Sequence, residues 1–387
     1  MGNAPSLLEC MHALIASPSV SSVSPAWDQG NFDVVDLLDQ WLSGLGFGTR
    51  VLPVPGHADK YNLVASAGGG PAGLLLAGHT DTVPYDDGKW RFDPFRLREE
   101  GNRLYGLGTC DMKGFFALVV EAVRDLDLAA LKSPLTIVAT ADEESSMCGA
   151  RALVDSGIRL GRHAVIGEPT GLRPVRMHKG IAMEAIRVIG HSGHSSDPAL
   201  GNNALEGMHR VIGEVLRWRE ELRQQYRNPL FAVAAPTVNL GHIHGGDNPN
   251  RICPECELHF DIRPLPGMNL DALRSELSQR CSRVLAGTGL DLQMTALFEG
   301  IPAMETPEEA AIVAACEQLT GHPAEAVAFG TEGPYFNSLG METVILGPGD
   351  VAQAHQPDEF IELSRIAPGI DILKSLIRRF CLDTGID

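Results

Sequence analysis

An unbroken apolar run, Leu74-Leu75-Leu76-Ala77-Gly78, ends abruptly in His79-Thr80-Asp81. A run this short, with glycines in front of it, reads as a strand buried on both faces. The polar residues at its carboxyl end then emerge at the edge where open α/β sheets bind their ligands. The arrangement recurs. A strand expected over 134–141 ends in Asp142-Glu143-Glu144, one over 163–167 ends in Glu168, and one over 343–346 runs into a loop that carries His355. Helices are expected over 6–16, 31–45, 112–128 and 148–156, and further strands over 49–54 and 61–66. Alternation of this kind implies an α/β fold, a mostly parallel sheet with helices on both faces.

The pattern changes near residue 177. Strand 181–189, helix 203–225, strands 237–242 and 256–262, helix 270–285 and strand 290–298 make a β-α-β-β-α-β unit of the ferredoxin-like kind. Helix 307–319 then resumes the first style. The expected organisation is one domain from 1–176 and 299–387, with 177–298 inserted as a second.

Composition narrows the partners. The formal net charge of −18 argues against nucleic acid or an anionic membrane as the main partner. No apolar stretch approaches the ~20 residues of a membrane span. No Lys or Arg precedes Arg50, so no secretory signal is visible and a cytoplasmic protein is expected. Of the eight cysteines only Cys253 and Cys256 form a C-x-x-C, which falls short of four zinc ligands, and both read as structural thiols.

Each residue at the strand ends has an ordinary reading. Asp111 alone suits the N-cap of helix 112–128. Glu143 and Glu144 suit a solvated strand end, His79 and His355 polar loop positions, and Glu168 a turn before Pro169. Taken together at one edge of one sheet, two imidazoles and several carboxylates form a ligand set suited to zinc or its neighbours. They exceed what one tetrahedral ion needs, and two ions sharing a carboxylate would use them all.

Gly78-His79-Thr80-Asp81, the segment Gly106 to Gly114 around Asp111, Asp142-Glu143-Glu144 and Gly167-Glu168-Pro169-Thr170 resemble the dinuclear zinc aminoacylase/carboxypeptidase family. Phe329 to Pro334 and Gly347 to Glu359 are similar to the branch of that family that deacylates small amino acids. The resemblance implies a metal-dependent amide hydrolase acting on a small acylated amino acid, with two divalent ions, zinc or alternatively cobalt. It implies Asp111 as the bridging carboxylate, His79 and Glu168 as ligands of one ion, Glu144 and His355 as ligands of the other, and a cis peptide at Asp111–Met112. Glu143 is similar to the family's general base and Asp81 to the residue that orients His79. A carboxylate behind a ligating imidazole fixes its tautomer. Neighbouring glutamates on extended chain diverge, leaving one to ligate and one to move protons.

In the inserted domain, His194 resembles the residue that helps hold the substrate oxyanion, and Asn250 and Arg263 resemble contacts to the substrate carboxylate. Their ordinary readings are a polar loop for His194 and a strand-edge salt bridge for Arg263. Glu332, in a Gly-rich loop, is a candidate partner for a substrate ammonium. The resemblance also implies a homodimer formed through the inserted lid domain. Within the family the alternatives are a succinyl-diaminopimelate desuccinylase, an acetylcitrulline deacetylase or a general aminoacylase. Outside it, the alternative is a non-catalytic metal- or amino-acid-binding protein, which would have no use for Glu143.

Overall fold

The computed structural model describes residues 4–70, 73–85 and 88–383. The chain divides into two compact units, one of Met1–Arg176 with Thr306–Glu325 and Thr331–Asp387, the other of Met177–Glu305 with Ala326–Gly330. The second unit thus takes in 299–305 and 326–330 beyond the expected 177–298. Backbone pairing is the reason. Ile301 and Ile181 exchange two hydrogen bonds, at 2.8 and 2.9 Å, and Lys179 donates to the Val327 carbonyl at 3.3 Å. Met304 and Glu305 pair antiparallel with His178 and Met177.

In the first unit the sheet runs Gly48–Pro53, Tyr61–Ala67, Leu135–Thr140, Leu74–His79, His163–Pro169, Glu342–Gly347. The last four are mutually parallel. Leu74–His79, Leu135–Thr140 and His163–Pro169 are buried at every position, as continuous apolar runs inside a covered parallel sheet require. Registers place His79 beside Thr140 and Leu76 beside Val165, so the strand ends are level and present their polar residues together.

Helix Lys113–Val123 packs directly on this sheet. It buries Phe115, Phe116, Leu118 and Val119 to within 3% exposure, each worth about 1.5–3 kcal/mol relative to the exposed state. The approach is close enough to dictate sequence. A Cβ at Gly78 would lie 2.3 Å from Met112 Cε, and one at Gly167 would lie 2.2 Å from the Phe115 ring. These glycines directly precede His79 and Glu168, and by admitting the helix they bring its leading residue, Asp111, down onto both strand ends. The helix is shorter than the expected 112–128, because it stops at Val123 and Leu128 opens a separate short turn, Leu128–Ala130.

The second unit contains Ala182–Ile189, Ala204–Gln225, Thr237–Gly245, Glu255–Arg263, Leu270–Leu285 and Asp291–Ala296. Its sheet order is Thr237–Gly245, Glu255–Arg263, Ala182–Ile189, Asp291–Ala296, antiparallel throughout, which is ferredoxin-like as expected. Cys256, Leu258, Phe260 and Ile262 alternate inward against the two helices, leaving the opposite face to polar residues. All eight cysteines are buried unpaired thiols, and Cys253 precedes the strand in which Cys256 lies. Among the described residues no helix is long and apolar enough to cross a membrane.

Candidate metal centre

His79 closes its strand with Nδ1 3.0 Å from the Asp81 carbonyl. A carbonyl only accepts, so Nδ1 carries the hydrogen and Nε2 is aimed inward. Nε2 lies 3.2 Å from Asp111 Oδ1 and 3.6 Å from Glu168 Oε1. On the other side, His355 Nε2 lies 3.1 Å from Glu144 Oε1 and 3.5 Å from Asp111 Oδ2. The two oxygens of Asp111 therefore face two different imidazoles, and each imidazole has a glutamate of its own. Ligand atoms of His79, Asp111 and Glu144 fall within 4.8 Å of one another, as do those of His79, Glu143 and Glu168.

Asp111 does not cap the following helix, whose N-cap is Met112 with no side-chain cap hydrogen bond. The Asp111–Met112 peptide is cis. Asp81 does more than lie 3.6 Å from His79 Nδ1. Its carboxylate accepts the backbone N–H groups of Glu143 at 3.2 Å and Glu144 at 3.0 Å, tying one strand-end turn to the next. Glu143 and Glu144 sit on that turn and not on the extended chain the sequence suggested. The turn is entered through Asp142 at φ 55°, whose buried carboxylate is paired with Lys60 Nζ at 2.6 Å. Because the turn separates the two glutamates, Glu144 joins Asp111 while Glu143 joins Glu168. Geometry alone permits Glu143 to act as ligand or as base.

The electrostatics favour cations. Burial, then the charge of Glu168, pushes the Glu143 carboxyl well above its usual range. Burial, then Asp111, does the same to Glu168, and raises Glu144. Asp111 is also buried, yet hydrogen bonds from His355 and His79 hold it low. Burial opposes charge on His79, but Glu168, Asp111 and Asp81 outweigh it and raise its pKa well above normal. Hydrogen bonds to Asp111 and Glu144 lift His355 to about 10. Four carboxylates thus crowd around the buried His79 while His355 stands exposed at the rim, and Glu168 Oε1 is buried there without a hydrogen-bond partner. A divalent pair fits this set, supplying the missing charge and partners.

One further residue belongs to this architecture and was not singled out from sequence. Glu359 Oε1 accepts the backbone N–H groups of Gly108, Cys110 and Asp111 at 3.0, 2.8 and 3.0 Å. It clamps the loop that presents Asp111. Burial, then the charge of Asp111, raises its pKa to about 8. Pairing of Phe360–Glu362 with Arg103–Tyr105 delivers it there.

Glu332 also lies in the first unit. It is fully buried, with Oε2 accepting the Thr140 hydroxyl at 2.9 Å and Oε1 lacking a hydrogen-bond partner. Burial lifts its pKa to about 7. It precedes a short helix, Gly333–Ser338, where the sequence suggested only a loop. His194, Asn250 and Arg263 lie in the second unit. There His194 pairs with Arg251 in an isolated bridge, and the Asn250 carbonyl accepts the Ser195 N–H at 3.0 Å, so those two loops are joined. Arg263 Nε donates to Asp261 Oδ2 at 3.0 Å, the strand-edge pair that the plain reading of this residue expected.

Residues 75–379 match the model of peptidase family M20/M25/M40. The chain is 49% identical to an acetylornithine deacetylase of Pasteurella multocida over 98% of its length and 100% of the relative's. It is 51% identical to an acetylornithine deacetylase of Edwardsiella ictaluri, covering 97% and 98% of the two chains. Its fold is similar to that of aminopeptidase PepT from Bacillus cereus, with TM-score 0.74, 18% identity and coverage of 98% and 99%. It is equally similar to an M20 family metallo-carboxypeptidase from Sulfolobus solfataricus, with TM-score 0.74, 18% identity and coverage of 97% and 99%. The chain therefore belongs to peptidase family M20/M25/M40 and is a metal-dependent hydrolase.

Proposed function

We propose that this chain removes the acetyl group of N2-acetyl-L-ornithine, giving L-ornithine and acetate. The observation that carries the reading is the disposition of Asp111, with one carboxylate oxygen towards His79 and the other towards His355. That disposition would let it bridge two ions, with Glu168 serving one and Glu144 the other. The substrate follows from the relatives' shared activity. Zinc is the proposed ion and cobalt the alternative. When bound, the pair polarises the scissile carbonyl and lowers the pKa of water to about 7.

This chain's own residues do the rest. Glu143 takes a proton from the attacking water and returns it to the departing nitrogen, a contribution of about 10²–10⁴-fold. His194 Nδ1 accepts the Ser196 backbone N–H at 3.2 Å, so in the neutral ring the hydrogen sits on Nε2 and serves as a donor to the developing oxyanion. Arg263 pairs with the substrate carboxylate, assisted by Asn250. Glu332 meets the side-chain ammonium, which would satisfy its orphaned Oε1. The second unit acts as lid and dimerisation domain, its edge strands Thr237–Gly245 and Asp291–Ala296 offering unpaired backbone to a second copy. Eight unpaired cysteines are in keeping with a reducing cytoplasm.

Acetate release from a panel of acylated amino acids, with and without chelator, tests the assignment. Acetylornithine should be the preferred substrate by kcat/KM, and chelator should abolish turnover until zinc or cobalt is restored. Preference for succinyl-diaminopimelate, acetylcitrulline or neutral acetylated residues would transfer the chain to one of the related deacylases. Glu332→Gln should reduce kcat/KM on acetylornithine about 10-fold or more, since a buried charged pair is lost, and should do little on a neutral acetylated amino acid. Equal losses on both would remove Glu332 from substrate recognition.

A further inference from the structure

The outer face of the second unit carries a cluster that the hydrolytic centre does not use. Strand Thr237–Gly245 pairs with Glu255–Arg263, and the register slips between Leu240 and His242. Before the slip, Val238 and Leu240 stand opposite Ile262 and Phe260, on the face covered by the helices. Strict alternation from Leu240 would send His242 and His244 to that same apolar face. The extra residue at the slip, Gly241, reverses the phase. His242 now stands opposite His259 and His244 opposite Glu257, all four on the open face.

The result is a rectangle of three imidazoles and a carboxylate on two adjacent strands. Ring centroids of His242 lie 5.3 Å from those of His244 and 5.1 Å from those of His259. The His244 and His259 centroids are 6.4 Å apart. Imidazoles bound to one tetrahedral ion at about 2.0–2.1 Å have centroids roughly 5 Å apart, a spacing that two of the three pairs approach, although the ligand atoms themselves are not gathered to within 4.8 Å of one another. Binding therefore requires the rings of His242 and His244, both exposed, to turn towards a common point. Glu257 Oε1 is hydrogen-bonded to His259 Nε2 at 2.7 Å, and its other oxygen lies 3.8 Å from Arg187 Nε, which holds the carboxylate against the rings. Three nitrogens and an oxygen from rigid strands are a borderline-soft ligand set.

We infer that His242, His244, His259 and Glu257 form a site for a single zinc-like divalent ion on the second unit. It is additional to the hydrolytic pair and independent of the substrate assignment. A bound ion bridges the edge strand to its neighbour, so it staples the outermost strand of that sheet.

The test uses the full-length enzyme with its hydrolytic ions loaded. Equilibrium dialysis against Zn2+, read by elemental analysis, should find one more ion per chain than the hydrolytic centre accounts for. His242→Gln/His244→Gln should weaken that extra binding at least about 10-fold and leave the tighter ions in place. His209→Gln, on a helix of the same unit, should leave all binding unchanged. With Cu2+ offered to the zinc-loaded enzyme, the spin-resonance spectrum should show nitrogen coupling that the double variant lacks. Both substituted residues are exposed, so the variant should unfold at the same temperature as the parent in chelator. No extra ion on the parent, extra binding of equal strength in the double variant, or equal loss in His209→Gln would each overturn the site.

Discussion

Glu143→Ala is expected to keep both hydrolytic ions and lose nearly all turnover, with kcat down about 10²–10⁴-fold. Glu143 and Glu144 occupy one turn, and that turn is held from outside by Asp81 through the backbone of both residues. Removing the Glu143 side chain leaves those hydrogen bonds in place, so Glu144 should still be presented to His355. Metal content by elemental analysis beside steady-state kinetics gives the answer. Loss of an ion together with activity would make Glu143 a ligand, and turnover near that of the parent would remove it from the chemistry altogether. Its place near His79 and Glu168 makes the metal measurement as decisive as the rate.

Asp111→Ala should do more damage through a different route. The carboxylate faces both imidazoles, so its loss strips a ligand from each ion at once. Metal content should fall from two ions per chain to one or none. Several kcal/mol of charge stabilisation would go with them, about 10³-fold or more in kcat/KM. Glu168→Ala or His355→Ala, each on one side only, should spare the ion on the other side. If Asp111→Ala retains two ions, the bridging assignment fails even if activity is lost.

The strand ends were legible because a covered parallel strand admits almost no polar residue until it leaves the sheet. Histidine after Leu74–Gly78 and glutamate after Ala164–Gly167 were therefore conspicuous. Asp111 was visible as a residue but ambiguous in role, since one aspartate before a helix suits a cap as well as a metal. What separated the readings was distance, supplied by the glycines that let the helix settle on the sheet. The ferredoxin-like unit was readable from its helix and strand periods, but its closing segments were not. Residues 299–305 and 326–330 join it by backbone pairing, which leaves little trace in side-chain pattern. Glu359 escaped for the same reason. It acts by receiving three backbone N–H groups, and no side-chain spacing announces that.

The Glu359 clamp also has a temporal meaning. Asp111 is held in place by a residue 248 positions further along the chain, and His79 waits for carboxylates drawn from across the whole first unit. During synthesis the nascent polypeptide can form its early strands, yet it cannot shape a cradle for ions until residue 359 has emerged from the ribosome. Contacts of such long sequence separation form slowly. A chain lacking only its final thirty residues would therefore keep every proposed ligand and still leave Asp111 without its clamp.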